Sequence, residues 1–477
     1  MKLSWQKLLS RARHRGRSNR TSKEDKLFTE HSRDVDRIIF SSSFRRLQGK
    51  AQLFTFPETD YVRNRLTHTL EAVSISRTLA AAIFSSFEKH NNEAHKEIVD
   101  ACRHNGIATR DVVEIVAAAT SAHDIGNAPF GHIGEYAIRS WFQGRFGEER
   151  RHVGEQLCSP DILNDYLAFD GNPQGFRVIT KLEGWPEEIG GMQLTCATIA
   201  ATVKYPWFSK PTKPEKGPSK FGFYASERFT AESIFDEVGL LGGGEEKKFF
   251  RHPLSYIMEA ADDIAYLTSD LEDGLKYGLL DIKEVYELLR FITKGRLKQS
   301  RIDQARPEAQ ERIKLLRSAA IFAMITMCQE RFLHNYPDYM KPKSAGKLSL
   351  MLSSESLDNL QTSLRSLVRD KIYYQDYKVR KEAAAFHTVR RLLDEFFFVI
   401  EDYFSKPAKT LNDKNRNMMR VMFPGYKVYL KGGKIDSKED SFPENVDDSL
   451  RILVDFVSGM TDAYARNLCS QVSGRHF

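Results

Sequence analysis

Asp111-Val112-Val113-Glu114-Ile115-Val116-Ala117-Ala118-Ala119-Thr120-Ser121-Ala122-His123-Asp124-Ile125-Gly126-Asn127 is the stretch on which the reading of this chain turns. Val112, Val116, Ala119 and His123 fall at i, i+4, i+7 and i+11, so one helix face runs from aliphatic side chains into a histidine. Asp124 follows at once, and Gly126 is expected to end the helix. A His-Asp pair alone turns up by chance in a large protein, and a helix-end histidine satisfied by its neighbours is the plain structural reading. Residues elsewhere in the chain decide between that reading and a chemical one.

Outward from Asp111–His123, the same three-to-four apolar spacing predicts helices over Leu66–Phe87, Pro253–Tyr277, Ile282–Leu297, Pro307–Phe332, Ser354–Lys371 and Arg380–Phe404. Strand-like alternation is scarce. Tyr426–Leu430, beside Gly432 and Gly433, is the best candidate for a small hairpin. The expected fold class is therefore all-α, a helical bundle with helical extensions and at most a small β hairpin. Two polar loops interrupt it, Tyr205–Phe221 with Pro206, Pro211, Pro214 and Pro218, and Lys431–Asn445. Val238–Lys248, with Gly242-Gly243-Gly244, reads as a connector, because no Lys-Ser/Thr opens a helix after it as a phosphate loop requires.

The 477 residues are 41% hydrophobic and 28% charged, and 31 Phe, 18 Tyr and 4 Trp supply more core than a disordered chain carries. No apolar run reaches the roughly 18–20 residues that cross a bilayer, Ser318–Cys328 being the nearest, so no membrane partner is expected. Met1-Lys2-Leu3-Ser4-Trp5 opens without an apolar secretory core. Five cysteines without close spacing argue against a disulfide framework or a zinc ribbon, and point to the cytoplasm. The net charge is +7, and residues 1–20 hold seven Lys/Arg and no acid. This reads as a basic N-terminal tail over residues 1–21, either a solvated segment or subunit contact, or a footprint for nucleic acid or polyphosphate.

Three other histidine and carboxylate positions give the His-Asp pair its company. His68 shares a helix stripe with Ala72, Ile75 and Leu79, and a histidine pointing into a bundle needs partners for both ring nitrogens. Asp262 and Asp263 interrupt the small-residue helix around Glu259–Tyr266, where Asp262, Tyr266 and Asp270 lie four apart on one face. His68, His123, Asp124 and Asp262 together make a two-His, two-Asp set drawn from three helices. Mixed imidazole and carboxylate ligation suits Mn, Fe, Mg or Ni more than a structural zinc, and bundles build metal centres from facing helices in this way.

The order of these residues resembles the HD-domain phosphohydrolase superfamily, and the surrounding words narrow the likeness. Phe44–Gln48, Arg65–Glu71, His123–Glu135, Asp170–Gly175, Glu259–Tyr266 and Val457–Asp462 are similar to the bacterial dGTP triphosphohydrolase family, over residues 22 to 470. The resemblance implies cleavage of a deoxynucleoside triphosphate at the α-phosphorus, releasing nucleoside and intact triphosphate. It implies a divalent ion (Mn, Mg or Fe) held by His68, His123, Asp124 and Asp262. Asp263 is the alternative last ligand; Asp262 is preferred because it keeps the ion on the face of Tyr266 and Asp270. Expulsion of O5′ needs a proton, and His132 with Glu135, three residues apart at the start of the next helix, is the candidate catalytic pair; a helix-cap pair is the structural alternative. Arg65 and Lys204 match phosphate-contacting positions and Asn172 a polar substrate contact. Gln52, Leu53, Tyr266 and Asp270 are placed around the deoxyribose, with the Tyr266 ring where a 2′-hydroxyl would sit. His387, Arg390 and Arg391 are candidates for the base.

The resemblance further implies a homo-oligomer, a hexamer by family likeness, and single-stranded DNA or a nucleotide as effector. It divides the chain into the tail, an HD core over 22–280 that includes the 205–221 loop, and a C-terminal helical region over 281–477 that completes the nucleotide site. Two other functions share these residues. Another HD phosphohydrolase, a 5′-nucleotidase or cyclic-nucleotide phosphodiesterase, would use the same ligands and release other products; a nucleotide- or DNA-sensing module would bind without turnover.

Overall fold

The computed structural model describes residues 2–14, 29–55, 61–90, 93–183, 190–210, 220–244, 247–293, 309–342, 371, 376–405, 412–422 and 445–474. The fold is all-α. Short helices α1 (Trp5–Leu8), α2 (Glu30–Ile39) and α3 (Ser42–Arg46) precede the long α4 (Arg65–His90), followed by α5 (Glu93–Asn105), α6 (Thr109–Ala122) and α7 (His132–Phe146). Then come α8 (Arg151–Leu157), α9 (Pro160–Leu167), α10 (Gly171–Arg177), α11 (Cys196–Thr202) and α12 (Arg228–Glu237). The second half holds α13 (Pro253–Lys276), α14 (Ile282–Thr293), α15 (Ala309–Tyr339), α16 (Asp376–Ser405), α17 (Asp413–Met422), α18 (Val446–Ser458) and α19 (Asp462–Val472).

The single sheet among the described residues is an antiparallel ribbon of β1 (Leu241–Gly242) and β2 (Lys248–Phe249), with Leu241 opposite Phe249 and Gly242 opposite Lys248. It forms in the segment expected to be a plain connector. The hairpin expected at Tyr426–Leu430 lies outside the described residues, as does the helix expected over Ser354–Lys371 except for its last residue.

Residues 2–14 differ from the free basic tail that charge alone suggested. Leu3, Trp5, Leu8 and Leu9 are buried in the main core. The Trp5 indole donates to the Tyr336 hydroxyl (2.6 Å), and Leu3 N donates to Met340 O (2.8 Å). Arg13 pairs with Asp34 (2.7 Å) and Glu30 (2.5 Å). The apolar spacing within the basic stretch makes one buried turn, and among its described cations Lys2 and Arg13 pair with acids of the folded body. Trp5→Ala should cost about 3–5 kcal/mol in a denaturation experiment. The imidazole of His252 holds the arm from beneath, with Nε2 3.1 Å from Leu8 O while Nδ1 accepts from Leu254 N. Burial pushes this ring down to about 4 from its usual 6.5. The folded state therefore binds fewer protons than the unfolded one in that window, so stability is full above it and falls as pH drops from 6.5 towards 4.

The buried side chains form two cores. The first joins α1–α6 and α10–α15; the second joins α7, α9 and α16–α19. Helices α14 and α15, from the expected C-terminal region, thus belong with the first, whereas α7 and α9 belong with the C-terminal helices. The chain crosses between cores within the His-Asp segment, since Ile125 is buried in the first and Ala128 and Phe130 in the second. A buried ion cluster, Arg177 with Asp455 (2.7 Å) and Glu227 (2.5 Å), ties α10 to α18. Contrary to the sequence expectation, α4 is long and apolar enough to cross a membrane by length and composition. Its Ala72, Leu79, Ile83 and Phe87 face the first core, where it packs against α6, α13 and α15.

Candidate active site

Three helices meet where the two cores join. Asn64 opens α4 as a reciprocal cap, its Oδ1 accepting Thr67 N (2.9 Å) while Thr67 Oγ1 accepts Asn64 N (3.1 Å). This sets Arg65 in the first turn and His68 one residue past it, both buried. Helix α6 stops at Ala122, and His123 is its C-terminal cap residue. His123 Nδ1 lies 2.6 Å from Thr120 O, which assigns the ring proton to Nδ1 and leaves the Nε2 lone pair for the interior. Helix α13, started by Pro253 in its first turn, runs against α4 and α6 and brings in Asp262.

Asp262 Oδ1 is 3.1 Å from His68 Nε2 and 3.2 Å from His123 Nε2. Ligand atoms of His68, His123 and Asp262 lie within 4.8 Å of one another. Asp124 stands beside this trio, with Oδ1 3.5 Å from His123 Nε2 and Oδ2 3.0 Å from Arg65 Nη1. His123 Nε2, His68 Nδ1 and Asp124 Oδ2 are buried without a well-formed hydrogen bond. The atoms that converge, His68 Nε2, His123 Nε2 and the Asp262 carboxylate, fit a divalent cation: imidazole nitrogen and carboxylate oxygen are its donor set, and the bond from His123 Nδ1 to Thr120 O orients that ring for it.

Electrostatics point the same way. Burial alone would depress His123, but Asp124 and Asp262 outweigh it and raise its pKa, so the site favours positive charge. Burial alone would raise Asp262; Lys204 and His123 instead hold it well below the carboxylate range. Asp124 is likewise held low, against burial, by His123 and Arg65. Lys204 Nζ donates to Asp262 Oδ2 (2.6 Å), and despite burial that carboxylate keeps it charged.

Gly126 has a different task from the helix stop expected of it. A Cβ there would lie 2.0 Å from Gly175 N and 2.2 Å from Gly171 O, so this glycine lets the loop touch the backbone of α10. Contact with α10 brings its N-terminal residue Asn172 to the site, fixed by a hydrogen bond from Asn172 N to Asp170 (2.9 Å). Gly131, at φ 60°, leads into α7, and a Cβ would meet the Arg65 guanidinium at 2.8 Å.

His132 is the first residue of α7, its side chain 79% exposed, with Nδ1 3.4 Å from Glu135 Oε2. Glu135 is buried and also accepts Gly171 N (3.0 Å). Burial would raise its carboxyl; His132, Lys220 and Arg139 bring it down to about 2 instead. It is therefore an anion able to orient the ring. A cavity of about 220 Å³ is lined by His132 and Glu135 and by all four candidate ligands. Gln52, Arg65, Asn172, Lys204 and Tyr266 line it as well.

No protein-family model matches the chain. A deoxyguanosinetriphosphate triphosphohydrolase-like protein of Synechocystis is 32% identical over 99% of this chain and 99% of its own length. A protein of the same name from Pseudomonas aeruginosa is 33% identical, again over 99% of each. The chain belongs to the deoxyguanosinetriphosphate triphosphohydrolase family. The member from Yersinia pestis, named without the "-like", is 26% identical over 91% of each chain. Kinship with the deoxyguanosinetriphosphate triphosphohydrolases spans both cores and the buried N-terminal arm.

Against the sequence expectations for this family, the cavity differs in two directions. Leu53 and Asp270 do not line it: both are buried, and burial pushes the Asp270 carboxyl up to about 8. Asp263 is also absent from the lining. His387, Arg390 and Arg391 sit on α16 and do not line the cavity, with Arg391 paired to Glu395 (2.9 Å). Conversely, Asn127, Tyr205 and Lys220 line it and were not assigned. Tyr205 was within reach of sequence reasoning, adjoining Lys204. Lys220 was not, because it returns only when the Trp207 indole bonds Lys220 O (2.7 Å) and Gly222 N bonds Trp207 O (3.0 Å), closing the proline-rich loop.

Proposed function

We propose that this protein is a metal-dependent dNTP triphosphohydrolase that converts dGTP and water into deoxyguanosine and triphosphate. One observation supports this above the others: a single cavity combines the His68, His123 and Asp262 trio with three cations, Arg65, Lys204 and Lys220, and with the His132–Glu135 pair. The names of the full-length relatives agree with it.

A divalent ion of the Mn, Mg or Fe type, held by His68, His123, Asp124 and Asp262, would draw charge from the α-phosphoryl group and acidify water for the attack. The chain's own residues do the rest. Arg65, Lys204 and Lys220 neutralise the triphosphate, and Asn172 at the start of α10 bonds its oxygens. His132 delivers a proton to O5′ as the P–O5′ bond breaks, and Glu135 holds the ring in the orientation for it. Tyr266 packs against C2′, and Gln52, whose Oε1 is buried without a hydrogen bond, accepts from the 3′-hydroxyl. The same reading carries a homo-oligomer working in the cytoplasm.

Sugar choice tests this assignment. The wild-type protein should cleave dGTP far better than GTP, and Tyr266→Ala should narrow the ratio of kcat/KM values more than it lowers dGTP turnover. Equal kcat/KM on the two nucleotides in the wild type would refute the steric role of Tyr266. Chelation should abolish both activities, and Mn should restore them.

A further inference from the structure

Seven residues separate the candidate ligand pair His123–Asp124 from His132, and the last five of them, Asn127 to Gly131, are the loop at issue. They have no regular structure, and Phe130 adopts φ 63°, which a bulky residue holds only when its surroundings impose it. The surroundings come from two distant places in the chain. Lys50 is a buried lysine whose Nζ donates to Asn127 O at one end of the loop and to Ser458 O (2.9 Å), the last residue of α18. Asp462, the buried first residue of α19, accepts Phe130 N through Oδ1 (2.7 Å) at the other end. Its Oδ2 accepts Ala51 N (3.0 Å), next to Lys50. Lys50 O in turn accepts Arg65 N (3.0 Å), the start of α4. One short segment, Lys50-Ala51, and the α18–α19 junction therefore grip the loop from both ends and join it to the helix that carries His68.

We propose that Lys50 and Asp462 are positioning residues for the reaction, holding Asn127–Gly131 so that Asp124 and His132 face one cavity. This rests on the function proposed above. Neither side chain lines the cavity; both act through the loop backbone. A buried lysine nitrogen and a buried carboxyl group that each bond two separate backbone segments cannot be replaced by apolar packing without releasing one segment. Displacement of catalytic groups by about 1 Å is enough to lower turnover on the order of 100-fold.

The test uses the full chain with Mn, as wild type, Lys50→Met and Asp462→Asn, followed by kcat and KM for dGTP, bound metal, Tm and amide exchange over 127–135. Expected are a kcat lowered about 10- to 100-fold, a KM within about threefold, full metal content, and faster exchange confined to the loop. General stabilisation would instead lower Tm, metal content and active fraction together, and that result overturns the proposal. An unchanged kcat in both variants overturns it too, as does failure of both variants to fold. If the wild type itself does not release triphosphate from dGTP, the functional reading has failed, and the exchange data still report whether these residues hold the loop.

Discussion

His123→Ala and Asp124→Ala proteins are expected to lose the bound divalent ion and at least about 10³-fold in dGTP turnover, the factor that several kcal/mol of lost charge stabilisation corresponds to. The two should lose it for different reasons. His123 supplies the Nε2 lone pair that Thr120 O orients, so its removal takes away a member of the compact trio. Asp124 stands at the edge of that trio and also pairs with Arg65 at 3.0 Å, so its removal leaves that guanidinium without this partner and takes away a candidate ligand oxygen. Helicity by circular dichroism should survive in both, because the apolar face of α6 is buried independently of its end. Elemental analysis of the purified variants is the check. Stoichiometric metal in either would remove that residue from the ligand set.

His132→Ala should lower kcat by roughly 10²–10⁴, the range of a positioned acid or base, and retain both metal and nucleotide. The geometry supports this separation, since His132 is exposed to the cavity at the N-terminus of α7 and is not in the trio. Glu135→Gln should be milder for kcat, because the ring and Gly171 N bond different carboxylate oxygens and the single amide oxygen keeps one of those two bonds. A His132→Ala protein whose loss lies in dGTP affinity and not in kcat would make this residue a substrate contact and leave the proton transfer to another group.

What was legible in the sequence was whatever local periodicity and residue chemistry encode. The faces of α4, α6 and α13 place His68, His123 and Asp262 on helices that pack together, and each face can be read from its own apolar spacing. The same holds for the all-α class. Features that depend on tertiary return were not legible. Lys220 reaches the cavity only because its loop closes on Trp207. Gly126 looks like a helix stop until α10 lies against it at backbone distance. The buried arm was hidden because its charge is conspicuous and its four apolar residues are not, and only Asp34 and Glu30, brought near by folding, show where Arg13 goes. The grouping of α7 and α9 with the C-terminal helices likewise follows from side-chain burial across the seam, which no sequence boundary marks.

The central claim is the bond that breaks and the product that leaves. Incubating dGTP with this protein and Mn, then separating nucleosides by chromatography and phosphates by ³¹P NMR, measures it directly. Deoxyguanosine and intact triphosphate are expected in equal amounts, with neither formed after chelation. Orthophosphate with dGDP, or pyrophosphate with dGMP, would contradict it.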